Sequence, residues 1–240
     1  MEKNKQSRAR RIWAGAKMTL KLMGLTLGLV FLGLFLDVVV HKFMPVTDTY
    51  YMRAMAKKNG VDVHQTWVPL KDISPNLSRA VIASEDNFFA QHHGFSVGGI
   101  KAAFANNQKE GKRIHGGSTI SQQTAKNVFL WNGSTIVSKA VRKGFEAVLT
   151  VMIEAVWGKQ RIMEVYLNVV EYGPGIYGAE ATAQKYFHHS AKKITASEAA
   201  LMAAVMPSPI KYKIAKPGPY VLKRQGKILW LMPKMRRFEH

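Results

Sequence analysis

Residues 141–155, VRKGFEAVLTVMIEA, decide the fold class of this chain. Phe145, Val148, Leu149, Met152, Ile153 and, just beyond the quoted stretch, Val156 recur at steps of three and four, the spacing of one face of an α-helix. Off that stripe, Arg142 and Lys143 stand four and three residues before Glu146, close enough on a helix to pair with it. Toward the C-terminus, KQRIMEVYLNVV (159–170) repeats the amphipathic pattern, the glycines of EYGPGIYG (171–178) break it, and AEATAQKYF (179–187) resumes it. Thr195 and Glu198 form a capping-box pair before an alanine-rich helix that Pro207 and Pro209 end. Toward the N-terminus, Thr119 and Gln122 box the start of a helix over 118–129. LSRAVIASEDNFFAQ (77–91) predicts a helix capped by Asn76 and stopping near His93–Gly94, and Ser96 is positioned to cap another reaching about Asn107. Residues 43–75, punctuated by Pro45, Gly60, Pro69 and Pro75, read as an irregular connector. With no long alternating run and no internal repeat, the class is mainly α.

The N-terminus sets the compartment. Residues 1–21 carry seven basic side chains against Glu2 alone, and LMGLTLGLVFLGLFL (22–36) follows without a charge. Extended past Asp37 through Val38–Val40, the apolar stretch reaches the ~20 residues that a ~30 Å hydrocarbon layer requires. No A-x-A-like cleavage site follows it, and no amphipathic stripe marks it as a core helix. Basic residues before the span predict a cytoplasmic tail (1–21), a single-pass anchor (22–42), the connector (43–75) and an exported domain (76–240). The chain has no cysteine, which excludes disulfides and thiolate metal sites. Its net charge of +20 lies mostly beyond the tail. On an exported, membrane-tethered domain such charge suits lipid headgroups or pyrophosphates rather than nucleic acid.

Against this basic background, AVIASEDNFFAQHHGFS (80–96) places Glu85 and Asp86 side by side in apolar company. On a continuous helix Glu85 would have Val81 and Ile82 one turn behind and Phe88 and Phe89 one turn ahead. Such an acid is partly desolvated, which moves its pKa toward neutrality and suits a general acid or base. The Glu85–His92 spacing is not that of a zinc motif, and His93 reads as a cap for helix-end carbonyls. In GGSTISQQTAKN (116–127) two glycines precede a helix start whose free amides could receive an anion, although the G-K-[ST] of a nucleotide loop is missing. Gln122 and Lys126 share one face of that helix, and Gln123 and Asn127 share another.

Taken together, these stretches resemble the glycosyltransferase family 51 domain, the peptidoglycan glycosyltransferase of bifunctional penicillin-binding proteins and of a monofunctional, membrane-anchored form. Five segments carry the resemblance in order: EDNFFAQHHG (85–94), GGSTISQQTAKN (116–127), RKGFEA (142–147), KQRIMEVYLN (159–168) with GPGIYGAEATAQKYF (173–187), and EAALMAAVMPSP (198–209). About 30 residues follow Pro209, too few for a transpeptidase domain, which favours the monofunctional form; SAKK (190–193) lacks the partner motif of a penicillin-binding serine site.

The resemblance implies a lysozyme-like helical lobe with a smaller membrane-associated lobe. It implies polymerisation of lipid II, through undecaprenyl-pyrophosphate-linked glycan, into β-1,4 strands with inversion at the donor anomeric carbon, outside the inner membrane. It makes Glu85 the general base and Glu146 the second essential carboxylate. Lys126, Arg142 and Lys143 would neutralise the departing pyrophosphate, and Asp86, Ser118, Gln122, Gln123 and Asn127 would hold the substrate. No cofactor is required, magnesium or manganese being an optional aid to the leaving group, and cell-division or penicillin-binding proteins are the expected company. Two other classes compete: a lysozyme-like lytic hydrolase with Glu85 as acid, and a non-catalytic membrane-anchored scaffold. Trp131 is either an interfacial anchor or an ordinary core tryptophan.

Overall fold

A computed structural model describes residues 2–96, 117–133, 135–235 and 238, with side chains from residue 13 onward. The helix expected after Ser96 and the basic loop at 108–117 lie outside the described residues, Gly117 excepted. Two compact units are present, residues 1–40 and residues 41–240.

The first unit lies within helix α1 (Glu2–Phe43), in which an 18-residue stretch reaches a mean hydropathy of 2.3, long and apolar enough to cross a membrane. The helix runs without a break through the expected anchor, 22–42. Leu22, Leu25, Leu29 and Leu32 are all exposed along it, as lipid-facing side chains would be. Its threonine hydroxyls are satisfied within the helix: Thr19 donates to the Gly15 carbonyl (3.0 Å) and Thr26 to that of Leu22 (2.9 Å). A span without water demands such internal pairing.

The second unit is mainly helical. It comprises α2 (Tyr50–Asn59), α3 (Pro75–Glu85), α4 (Ile120–Phe129), α5 (Ile136–Val156), α6 (Gly158–Val169), α7 (Ala179–Phe187), α8 (Ala196–Val205) and α9 (Pro219–Leu231). Both capping boxes form as expected, Thr119 with Gln122 on α4 and Thr195 with Glu198 on α8. The stretch expected to be irregular holds α2, capped by the Thr49 hydroxyl at one end and by left-handed Gly60 at the other. α3 begins two residues earlier than expected. Ser74, not Asn76, is its N-cap, and the Ser74 hydroxyl also reaches the Ile194 carbonyl (2.7 Å).

On α5 the buried line is Glu146, Leu149, Thr150 and Ile153, so the helix turns a partly polar edge inward and leaves Phe145, Val148 and Met152 half-buried on its flank. The alanines of α8 (Ala199, Ala200, Ala203, Ala204) are completely buried, and their small side chains let α3 and α9 pack closely on either side.

A small sheet, not expected from the sequence, closes one end. β2 (Glu171–Gly173) and β3 (Ile176–Tyr177) form an antiparallel hairpin, and β1 (His64–Gln65) adds parallel to β3. Gly175 turns the hairpin at φ +71°, and a Cβ there would lie 2.1 Å from the Asp62 carbonyl oxygen, so only glycine fits. Buried Asn168 locks the adjoining segment: its side chain accepts from Val68 N–H (3.0 Å) and donates to the carbonyls of Val68 (2.9 Å) and Glu164 (2.8 Å).

Candidate active site

The site grows from the junction of two helix ends. α3 stops at Glu85, eight residues before the expected end, because Asp86 leaves helical geometry (φ −158°, ψ 80°) and turns its carboxylate toward the start of α4. That carboxylate accepts the Ile120 N–H at 3.1 Å and meets His92 Nε2 through both oxygens, at 3.0 and 2.9 Å. The Gly94 N–H donates to His92 Nδ1 (3.1 Å), which leaves Nε2 as the protonated nitrogen of the neutral ring. Thr119 completes the knot, its hydroxyl donating to the Gly94 carbonyl (2.6 Å) while accepting from Gln122 N–H (3.2 Å). Gly94 itself sits at φ +89°, and a Cβ there would be 2.6 Å from Thr150 Cγ2, so the loop lies against α5 only as glycine.

Two sequence expectations change here. The start of α4 does receive an anion, but it is the protein's own Asp86. The histidine that ties the loop is His92; His93 is exposed and its side chain makes no hydrogen bond among the described residues.

Ending α3 at Glu85 also changes that residue's surroundings. Phe88 and Phe89 do not follow it on one helical face: Phe88 is half exposed, while Phe89 is fully buried beneath the Lys159 ammonium (4.5 Å to the ring centroid). Glu85 is instead held by polar groups. Oε1 accepts from the Ser84 hydroxyl (2.9 Å) and the Arg224 guanidinium (3.2 Å), and Oε2 accepts from Gln123 Nε2 (3.2 Å). The Tyr166 hydroxyl donates to Gln123 Oε1 (3.2 Å), which fixes the orientation of that amide. Burial, reinforced by the negative charges of Glu85 and Asp86 nearby, drives the Tyr166 phenol well above its usual pKa and keeps it a donor.

Glu146, deeply buried on α5, is ion-paired to Lys143, whose ammonium also reaches the Ser118 hydroxyl (3.3 Å). Lys126 on α4 feels the charge of both carboxylates. Its ammonium lies over the Tyr51 ring of α2 (5.1 Å) within the fields of Glu146, Arg142, Lys143 and Glu85. Burial holds the Lys126 pKa below the ordinary lysine value; Arg142 and Lys143 push the same way, and Glu146 and Glu85 oppose them. Arg142 Nε is buried without a hydrogen-bond partner among the described residues, as is Asn127 Oδ1.

The structure therefore gathers Glu85, Gln123, Lys126, Arg142, Lys143, Glu146 and Ser118 into one electrostatically linked group. Asp86 and Gln122, both expected at the substrate, are spent on the α3–α4 junction, and Asn127 is buried beside them on α4. Ser84, Arg224, Tyr166 and Tyr51 escaped the sequence reading. Arg224 is one cation in the basic run KRQGK and lies 139 residues beyond Glu85, with no local signal to set it apart. Trp131 is partly buried, its indole donating to Ser138 (3.1 Å) and its ring packing on Phe145.

A partly buried acid, a deeply buried acid with its lysine, and a half-buried lysine in the field of both are groups able to take up a proton and to meet negative charge. Comparison with known proteins gives that class a family. Residues 52–233 match the transglycosylase family along their whole length, and the chain belongs to that family. It is 52% identical to the biosynthetic peptidoglycan transglycosylase of Caulobacter vibrioides over 80% of this chain and 81% of that one. The Pasteurella multocida protein of the same name is 49% identical over 83% and 82%, and that of Salmonella typhimurium 52% identical over 74% and 71%. The chain is an enzyme of the peptidoglycan glycosyltransferase family, with one long apolar N-terminal helix consistent with a single-pass membrane anchor.

Proposed function

We infer that the protein polymerises lipid II into β-1,4-linked glycan, releasing undecaprenyl pyrophosphate. Glu85 Oε2 takes the proton of the acceptor 4-hydroxyl as that oxygen attacks the donor anomeric carbon. The new C–O bond forms on the face opposite the breaking C–O bond to pyrophosphate, which inverts the centre. Lys126, Arg142 and Lys143 meet the negative charge gathering on the diphosphate. Glu146 keeps Lys143 in place, Ser118, Gln123 and Asn127 bound the sugar-phosphate, and Asp86 and Gln122 act by holding the helix ends that carry the others. Among the described residues no cluster of three histidines or carboxylates is placed to hold a metal. A magnesium or manganese ion, where used, would be held chiefly by the diphosphate oxygens.

The helical unit serves as the lysozyme-like lobe on the periplasmic side of the inner membrane, tethered by α1, with cell-division or penicillin-binding proteins as neighbours. The observation that carries this reading is the asymmetry at Glu85. One oxygen accepts from two donors, Ser84 and Arg224, and the other from Gln123 alone, with the Lys126 ammonium in the field of both Glu85 and Glu146.

Purified protein given lipid II in detergent should yield long glycan and free undecaprenyl pyrophosphate. Glu85→Gln, nearly isosteric, should lower that rate by at least about 100-fold with the thermal unfolding midpoint unchanged. Shortening of preformed glycan with no polymer from lipid II would identify a lytic hydrolase instead.

A further inference from the structure

Arg224 comes from α9, the C-terminal helix, and reaches the last turn of α3. Its Nη2 donates to Ser84 Oγ at 2.7 Å and to Glu85 Oε1 at 3.2 Å, and its side chain is only 13% exposed. Ser84 in turn directs its hydroxyl to Glu85 Oε1 and lies 3.4 Å from the Ala203 carbonyl of α8. Two helices, α3 and α9, thus meet at one carboxylate oxygen, with α8 touching the serine between them. The next residue, Gln225, fastens α9 to α8 through the Ser197 carbonyl (2.9 Å) and hydroxyl (3.2 Å), which fixes where Arg224 points. The guanidinium is not fully satisfied: its Nε is buried with no partner among the described residues. A side chain selected only for stability would not leave a desolvated donor unpaired.

We propose that Arg224 is a positioning residue for the catalytic base, locking Glu85 Oε1 together with Ser84 so that Oε2 alone is free to take the acceptor proton. This rests on the lipid II reading above. A carboxylate held at one oxygen cannot rotate its open lone pairs away from the acceptor, and a small misplacement of a reacting group is worth about 100-fold in rate. Arginine supplies two contacts from a rigid plane, whereas lysine supplies a point charge on a flexible stem.

The test uses the full chain in detergent with lipid II. Arg224→Ala is expected to lower kcat by about 100-fold while the KM for lipid II stays within about twofold and the unfolding midpoint holds. Arg224→Lys should recover part of the lost kcat, and Ser84→Ala should show a smaller loss of the same kind. Unchanged kcat in Arg224→Ala overturns the proposal, as does a loss carried by KM and a lowered unfolding midpoint that lysine does not relieve. If Arg224→Ala does not fold, Arg224→Lys decides: reduced kcat at constant KM upholds the role, and wild-type kcat removes it. Absence of polymer from the wild-type chain defeats the functional reading itself, whereas polymer formed at the same rate by wild type and Arg224→Ala defeats only the positioning role.

Discussion

Lys126 is a cation kept where a neutral amine would be more comfortable. Because burial lowers its pKa, the folded chain releases this proton at a lower pH than the unfolded chain, which holds it up to the ordinary value of 10.5. Between those two values the unfolded chain binds more protons, so stability rises with pH across that window, and below it the ammonium is a net cost. Lys126→Met should therefore unfold at a temperature equal to or above wild type at pH 7, while polymerisation falls by about 100-fold or more. The alkaline limb of wild-type activity should begin below the ordinary lysine range, and Lys126→Arg should move it upward. A lower unfolding temperature for Lys126→Met would contradict this account. Glu85 was legible as the acid of interest, but for a reason the structure replaces: the sequence offered aromatic neighbours along a continuous helix, and the fold supplies Ser84, Gln123 and Arg224. Of these only Ser84 is local, and no spacing rule reaches 139 residues to an arginine.

At the scale of elements, the end of α3 and the start of α4 are one construction. The acid next to Glu85 breaks its helix and caps the following one, so the paired Glu-Asp that drew attention in the sequence divides into a chemical and an architectural half. Asp86→Ala strips the Ile120 amide and His92 of their acceptor in a buried setting and should destabilise the protein by about 1–3 kcal/mol, read by denaturant unfolding. Activity should fall with it, since α4 carries both Gln123 and Lys126. Asn168→Ala leaves both backbone groups of Val68 unpaired and should cost a similar amount, about 1–3 kcal/mol, without any change in the charges around Glu85. The helices with a capping box and those over 158–187 were legible within a residue or two, while the strongly periodic α5 begins several residues before its apolar stripe. α2 was missed although Thr49 and Gly60 stand at its ends, because the surrounding prolines suggested a connector. The two- and three-residue strands were missed because pairing that short has no alternation to show and is set by Gly175 fitting beneath Asp62.

For the whole molecule, the apolar helix and the basic domain define one working environment. The excess of cations should draw in a substrate carrying a diphosphate, and the KM for lipid II should rise with ionic strength as that attraction is screened, most steeply between about 0.01 and 0.15 M salt. A chelator titration of the same assay would separate this effect from any dependence on magnesium or manganese. The apolar stretch Leu22–Val40 covers 19 residues of α1, roughly 28 Å at 1.5 Å per residue, close to the ~30 Å layer it would cross. A tether of that length, with a donor and an acceptor that on the proposed reading both carry fatty tails, would confine catalyst and reactants to a shared film. Encounter then happens in two dimensions, and turnover should track moles of substrate per mole of surrounding amphiphile: adding inert micelles at constant molarity of everything else should slow the reaction by dilution alone.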